Sequence, residues 1–172
     1  MLIIMKAKHL FLFMALVCLT QGLQAQKYNY YQIFMYNFTR YIQWPLEGQD
    51  GDFVIGVMGN SEIVGELQNM AKIKKANGHA ISIMVYNSVD DIGKCQMLFI
   101  PEGKSKMLDD VRTKIGGQAT LLITEKPGLA QEGSGINFII QDGKLRFELN
   151  KAATDQAHLK VSGELSKLAI LI

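Results

Sequence analysis

The chain has 172 residues, a length that suits one domain. Lysine and arginine total 18 against 16 aspartate and glutamate, and the excess is accounted for by Lys6 and Lys8 near the start. Beyond them the charges balance and no basic patch interleaved with aromatics remains, which argues against nucleic acid as a partner.

The first element is an export signal over 1–25. Lys6 and Lys8 form its basic start, and Leu10 to Leu19 its apolar run, too short to span a bilayer comfortably. Leu23-Gln24-Ala25 fits a signal peptidase site, with cleavage before Gln26; the competing reading is an uncleaved anchor. Cys18 follows Val17, where a lipobox wants a small residue. The expected mature chain, 26–172, is one domain with no stable membrane insertion. It keeps Cys95 alone, so no internal disulfide is available although an exported protein could have one. Cys95 precedes the apolar run Met97–Ile100 and reads as a buried small hydrophobe.

Residues 28–43 read as a helix, with Tyr31, Phe34, Phe38 and Ile42 at spacings of three and four. Pro45 disfavours helix at Trp44 and ends it there. A polar loop over 46–52 leads to a strand, Phe53–Met58, apolar on both faces as a central parallel strand would be. Gly59-Asn60-Ser61 turns the chain, with Ser61 as the expected N-cap of a helix bearing Ile63, Val64, Leu67, Met70 and Ala71 and ending near Asn77-Gly78. A strand follows over 79–86, then another over 96–100 stopped by Pro101, a helix over 103–115 closed by Gly116-Gly117, and a buried strand over 120–124. Runs over 136–140 and 144–149 flank Asp142-Gly143, a hairpin signal. Asn150 and Ser162 are expected to cap helices over 151–157 and 163–170. The order predicts an α/β fold in three layers, with a mostly parallel sheet between helices and an antiparallel C-terminal hairpin.

Catalytic and metal motifs are missing, so an enzyme, a cofactor and a metal site are not expected. Gly133-Ser134-Gly135 lacks the nucleophile-elbow spacing, and neither His79 nor His158 has a metal-ligand spacing. Gly56 and Gly59 with Ser61 sit between strand and helix, where an anion could bind, but a tight turn explains them as well. Arg146 alternates with Leu145 and Phe147, either as an exposed edge charge or facing a groove. Tyr28, Tyr30 and Tyr41 exceed what one buried stripe needs and, with Trp44, are candidates for an interface.

Several blocks in order resemble the YfiR family. They are Phe38-Thr39-Arg40-Tyr41-Ile42-Gln43-Trp44-Pro45 with Phe53 to Gly59; Cys95 to Ile100; Leu121 to Thr124 with Gly133 to Phe138; and Arg146 to Asn150 with Ala152-Ala153, Leu159 to Ser162 and Leu165 to Ala169. The resemblance implies a periplasmic α/β regulator that forms a homodimer and restrains a membrane-bound diguanylate cyclase-type protein. It also implies redox tuning through disulfides, from which this chain departs with its single Cys95. Arg146 and Asn150 match the late motif and are candidate ligand or partner positions. The alternative is a periplasmic small-molecule or nucleotide binding module using Gly59, Ser61 and Arg146.

Overall fold

A computed structural model describes residues 27–45 and 51–172. The expected export signal lies outside the described residues, as does most of the 46–52 loop. The chain is helical over 27–41 (α1) and continues as β1 (Ile42–Gln43), β2 (Phe53–Met58), α2 (Ile63–Ile73), β3 (Lys75–Ala76), β4 (His79–Tyr86) and β5 (Met97–Ile100). A 3-10 helix (Glu102–Met107) runs into α3 (Leu108–Ile115), followed by β6 (Leu121–Thr124), β7 (Ile136–Gln141) and β8 (Lys144–Leu149). The chain ends in α4 (Lys151–Gln156), β9 (Lys160–Val161), α5 (Gly163–Leu168) and β10 (Ile170–Leu171).

The main sheet has eight strands in the order β10-β8-β7-β6-β5-β2-β4-β3. β4, β2, β5, β6 and β7 are mutually parallel, and β8 returns antiparallel on β7. The expected layers and hairpin are therefore present. Alternation along each strand divides the core in two. Ile55, Val57, Met97, Phe99, Ile123, Phe138 and Phe147 face α1, α2 and α5, while Leu98, Ile100 and Leu122 face α3 and enclose Cys95.

The first face is aromatic. Tyr31 stacks on Phe138 at 4.1 Å between ring centroids, and Phe38 meets Phe147 edge-on at 5.4 Å. Each such pair adds roughly 0.5–1.5 kcal/mol beyond the area it buries. Gly56 serves the opposite face: a Cβ there would lie 2.6 Å from the Tyr86 ring and 2.8 Å from Leu98.

Five local expectations change. The first helix stops at Tyr41 rather than at 43, because Ile42–Gln43 pair antiparallel with Val161 and Lys160 of β9. α2 stops at Ile73, because Lys75–Ala76 pair with His79–Ala80 across Asn77-Gly78, whose φ angles of 50° and 88° suit a tight hairpin turn. Ser61 does not cap α2. Glu62 holds that position without a side-chain bond, and the Ser61 carbonyl accepts from Val64 N. The first half of the 103–115 helix is 3-10, since Glu102–Met107 buries no residue and has no apolar stripe to dock. The last helix stops at Leu168, because Ile170–Leu171 join the sheet beside β8. Asn150 and Ser162 do cap as expected, accepting from Ala153 N at 2.9 Å and Leu165 N at 3.2 Å.

Candidate functional site

In open α/β sheets, ligands bind outside the carboxyl ends of the strands where the order reverses. Here that point lies between β2 and β5: the chain goes from β2 outward to β4, then back across β2 to β5. The loops after β2, β5 and β6 frame the crevice. Gly59 leaves β2 at φ +70°, donating to the Tyr86 carbonyl at 2.7 Å. A Cβ at Gly59 would meet Lys104 at 2.9 Å, so the glycine serves both the turn and the Lys104 stem lying over it.

Glu125, the residue after β6, is the chemical centre. Its side chain is 1% exposed. Oε1 accepts from the Tyr28 hydroxyl at 3.1 Å and from the Glu102 backbone N–H at 3.0 Å. Lys27 Nζ stands 2.7 Å from Oε2, an ion pair whose approach falls outside hydrogen-bond geometry and leaves Oε2 without a hydrogen bond. The same ammonium lies 5.3 Å from the centroids of both the Tyr28 and Tyr31 rings. Burial, then the Glu125 charge, push the Tyr28 hydroxyl up to about 12, while a hydrogen bond with the Ser61 side chain pulls it back. The same two causes raise Tyr31 further. The first turn of α1 therefore sits in the crevice and neutralises the buried Glu125 carboxylate there.

The sequence candidates fall in separate places. Ser61 and Tyr28 meet at this crevice beside Gly59. Arg146 is exposed on β8, four strand positions from β2 and therefore about 19 Å away. Asn150 lies at the other end of the sheet, where its N–H donates to the Gly135 carbonyl and its Nδ2 to the Ala130 carbonyl at 2.7 Å. Trp44 is buried against Phe53 and donates Nε1–H to the Gln96 carbonyl at 2.9 Å; Tyr41 is half-buried and Tyr30 is 51% exposed.

Sequence reasoning missed Glu125 and Lys27. Glu125 follows a four-residue apolar strand and precedes Lys126-Pro127, which reads as an ordinary loop charge. Its burial depends on α1, 97 residues away. Also missed was the buried run in which Asn137 Nδ2 donates to Glu148 at 2.8 Å and Thr124 bridges Asn137 and Ser134. It ties β6, β7 and β8 together and holds Ser134 as a structural hydroxyl.

Two surface depressions lie away from this crevice. One, of about 380 Å³, lies between α1 and α2 and is lined by Ile33, Tyr36, Glu66, Met70, Ile73 and Lys74 among others. The other, of about 170 Å³, is lined by Arg112, Gly116, Gly117, Gly133, Gly135 and Thr154 among others. Among the described residues, no helix is long and apolar enough to cross a membrane, and no group of three or more His, Cys, Asp or Glu is placed to hold a metal ion.

Among curated proteins none matches the chain. A family of proteins described as YfiR/HmsC-like matches it over residues 28–170, nearly the whole of what the structure describes. The chain belongs to the YfiR/HmsC-like family.

Proposed function

We propose that the protein is an exported, non-enzymatic regulator that works outside the cytoplasm as a homodimer, by contact with a membrane-bound signalling protein of the diguanylate cyclase type. One observation carries this reading. The crevice where an α/β protein would hold a small ligand is filled by the chain's own Lys27 and Tyr28, while open apolar surface lies in the groove between α1 and α2. Ile73 there is 78% exposed, and Ile33 is 46% exposed in the same groove. Exposed apolar patches of this kind mark contact surfaces. Membership of the YfiR/HmsC-like family supports the same direction.

The test is capture of membrane proteins by the mature domain, with Ile33→Asp and Ile73→Asp as variants. The reading expects a membrane signalling protein to be retained by the wild type and lost with either substitution. Recovery of no membrane partner by the wild type would sink it. A second reading, a periplasmic binding module for small molecules or nucleotides, draws support from the smaller groove. There the Arg112 guanidinium packs against Gly133, and Gly116 and Gly117 leave backbone exposed at the rim. A rise in Tm with a nucleotide or amino acid, abolished by Arg112→Ala, would favour it.

A further inference from the structure

The two edges of the main sheet are unlike. One ends in β10, two residues long. The other ends in β3, also two residues long, which covers only His79 and Ala80 of the eight-residue β4. Past that point β4 has β2 on one side and, among the described residues, no strand on the other.

Backbone direction follows from one bond. The Tyr86 carbonyl accepts from Gly59 N, on the β2 side. Alternation then points the amides and carbonyls of Ile81, Ile83 and Val85 outward. The stretch Ile81-Ser82-Ile83-Met84-Val85-Tyr86 contains no charge, proline or glycine. Met84 is 47% exposed and Val85 39% exposed, on opposite faces. Exposed edges normally carry a lysine, a proline, a bulge or a covering element, and among the described residues this one has none beyond its start.

We propose that two copies of the chain pair through this edge, β4 against β4, antiparallel across a two-fold axis at Ile83. The outward groups match in that register: Ile83 faces its equivalent and Ile81 faces Val85, giving about six main-chain hydrogen bonds at two per pair. On one face Met84 comes against Ser82 of the other copy. The ends are complementary as well. Exposed Lys75 lies beside the start of the free edge and exposed Asp90 and Asp91 lie past its end, so antiparallel pairing brings the cationic end of each copy toward the anionic end of the other. Each β3 hairpin stops the opposing strand from sliding, which fixes the register. The proposal deepens the homodimer of the reading above and rests on it.

The test is the mass of the full mature chain in solution. Wild type is expected at twice the chain mass, and Val85→Lys and Met84→Lys at the single mass with unchanged circular dichroism. Ile83→Cys supplies a check that does not depend on breaking anything. Hydrogen-bonded antiparallel partners stand about 5.5 Å apart at Cα, within the span of a disulfide. Mild oxidation is then expected to cross-link Ile83→Cys between copies and to leave Ile73→Cys uncoupled. A wild type that is monomeric overturns the proposal, as does a dimer that survives Val85→Lys with no cross-link at position 83. If the wild type is monomeric and Val85→Lys abolishes capture of the membrane partner, the edge belongs to that partner and the two-copy proposal is overturned while the regulatory reading stands.

Discussion

The two faces of the sheet are built differently. On one side α1 lays Tyr31, Phe34 and Phe38 onto Phe138 and Phe147, with Glu125 anchoring its first turn. On the other, α3 lays the aliphatic stripe Leu108, Val111 and Ile115 onto Leu98, Ile100 and Leu122, with a buried thiol among them. The aromatic side adds large rings and one buried charge to its aliphatic residues. The aliphatic side is the smaller cluster and relies on groups of similar, smaller size. Loss of one ring should therefore cost more on the first face than loss of one aliphatic group on the second.

Substitution by alanine tests this most strongly. Phe38→Ala removes a fully buried ring that touches three others, and is expected to cost about 3–5 kcal/mol in denaturant unfolding. Leu98→Ala on the opposite face is expected to cost about 2–3 kcal/mol. Equal losses would remove the contrast.

The anchor comes next, and its two partners should not be equivalent. Lys27→Met leaves a buried carboxylate with its neutralising charge gone. It is expected to cost about 2 kcal/mol, the usual penalty for a broken buried pair being discounted because Lys27 is 28% exposed. Glu125→Gln keeps an acceptor for Tyr28 and for Glu102 N and releases Lys27 to water, so about 1 kcal/mol is expected. A larger loss for Glu125→Gln in the same melts would show that the hydrogen bonds outweigh the charge.

Away from both cores, Asn150→Ala removes a cap together with the bond to the Ala130 carbonyl and is expected to cost about 1 kcal/mol. The last effect is absent at neutral pH and develops only in alkali. Burial pushes the Cys95 thiol up to about 12 and the Tyr28 hydroxyl to about 12, against ordinary values of 9.0 and 10.0. Both folded values are raised. Their contribution is therefore complete below about pH 9 and is lost as pH climbs toward 12. Tm should be flat through neutral pH and fall above 9, and Cys95→Ala should delay the fall toward pH 10. Thiol reagents at pH 8 should label native wild type no faster than it opens.

The aromatic face was legible because its helix carries a periodic stripe, Tyr31, Phe34 and Phe38, that only burial explains; Ile42 continued the spacing but lies in β1. The Asp142-Gly143 hairpin and the Asn150 and Ser162 caps were legible because each turns on two to four adjacent residues. The same local signal stood at Asn77-Gly78, where the long stripe of α2 masked it. β1, β9 and β10 left no pattern, since two-residue strands are recognisable only by what they pair with. The Glu125 anchor was silent for the same reason: a carboxylate reads as surface until a distant helix covers it.

That distance also governs how the molecule can fold. α1 is made first, yet its rings settle against Phe138 and Phe147, more than a hundred positions later in the chain. Until the last hairpin arrives, the most aromatic segment of the protein has no surface to rest on. Contacts so far apart in sequence form slowly. The interval in which α1 is exposed is the one in which the chain is most open to aggregation and most in need of a chaperone.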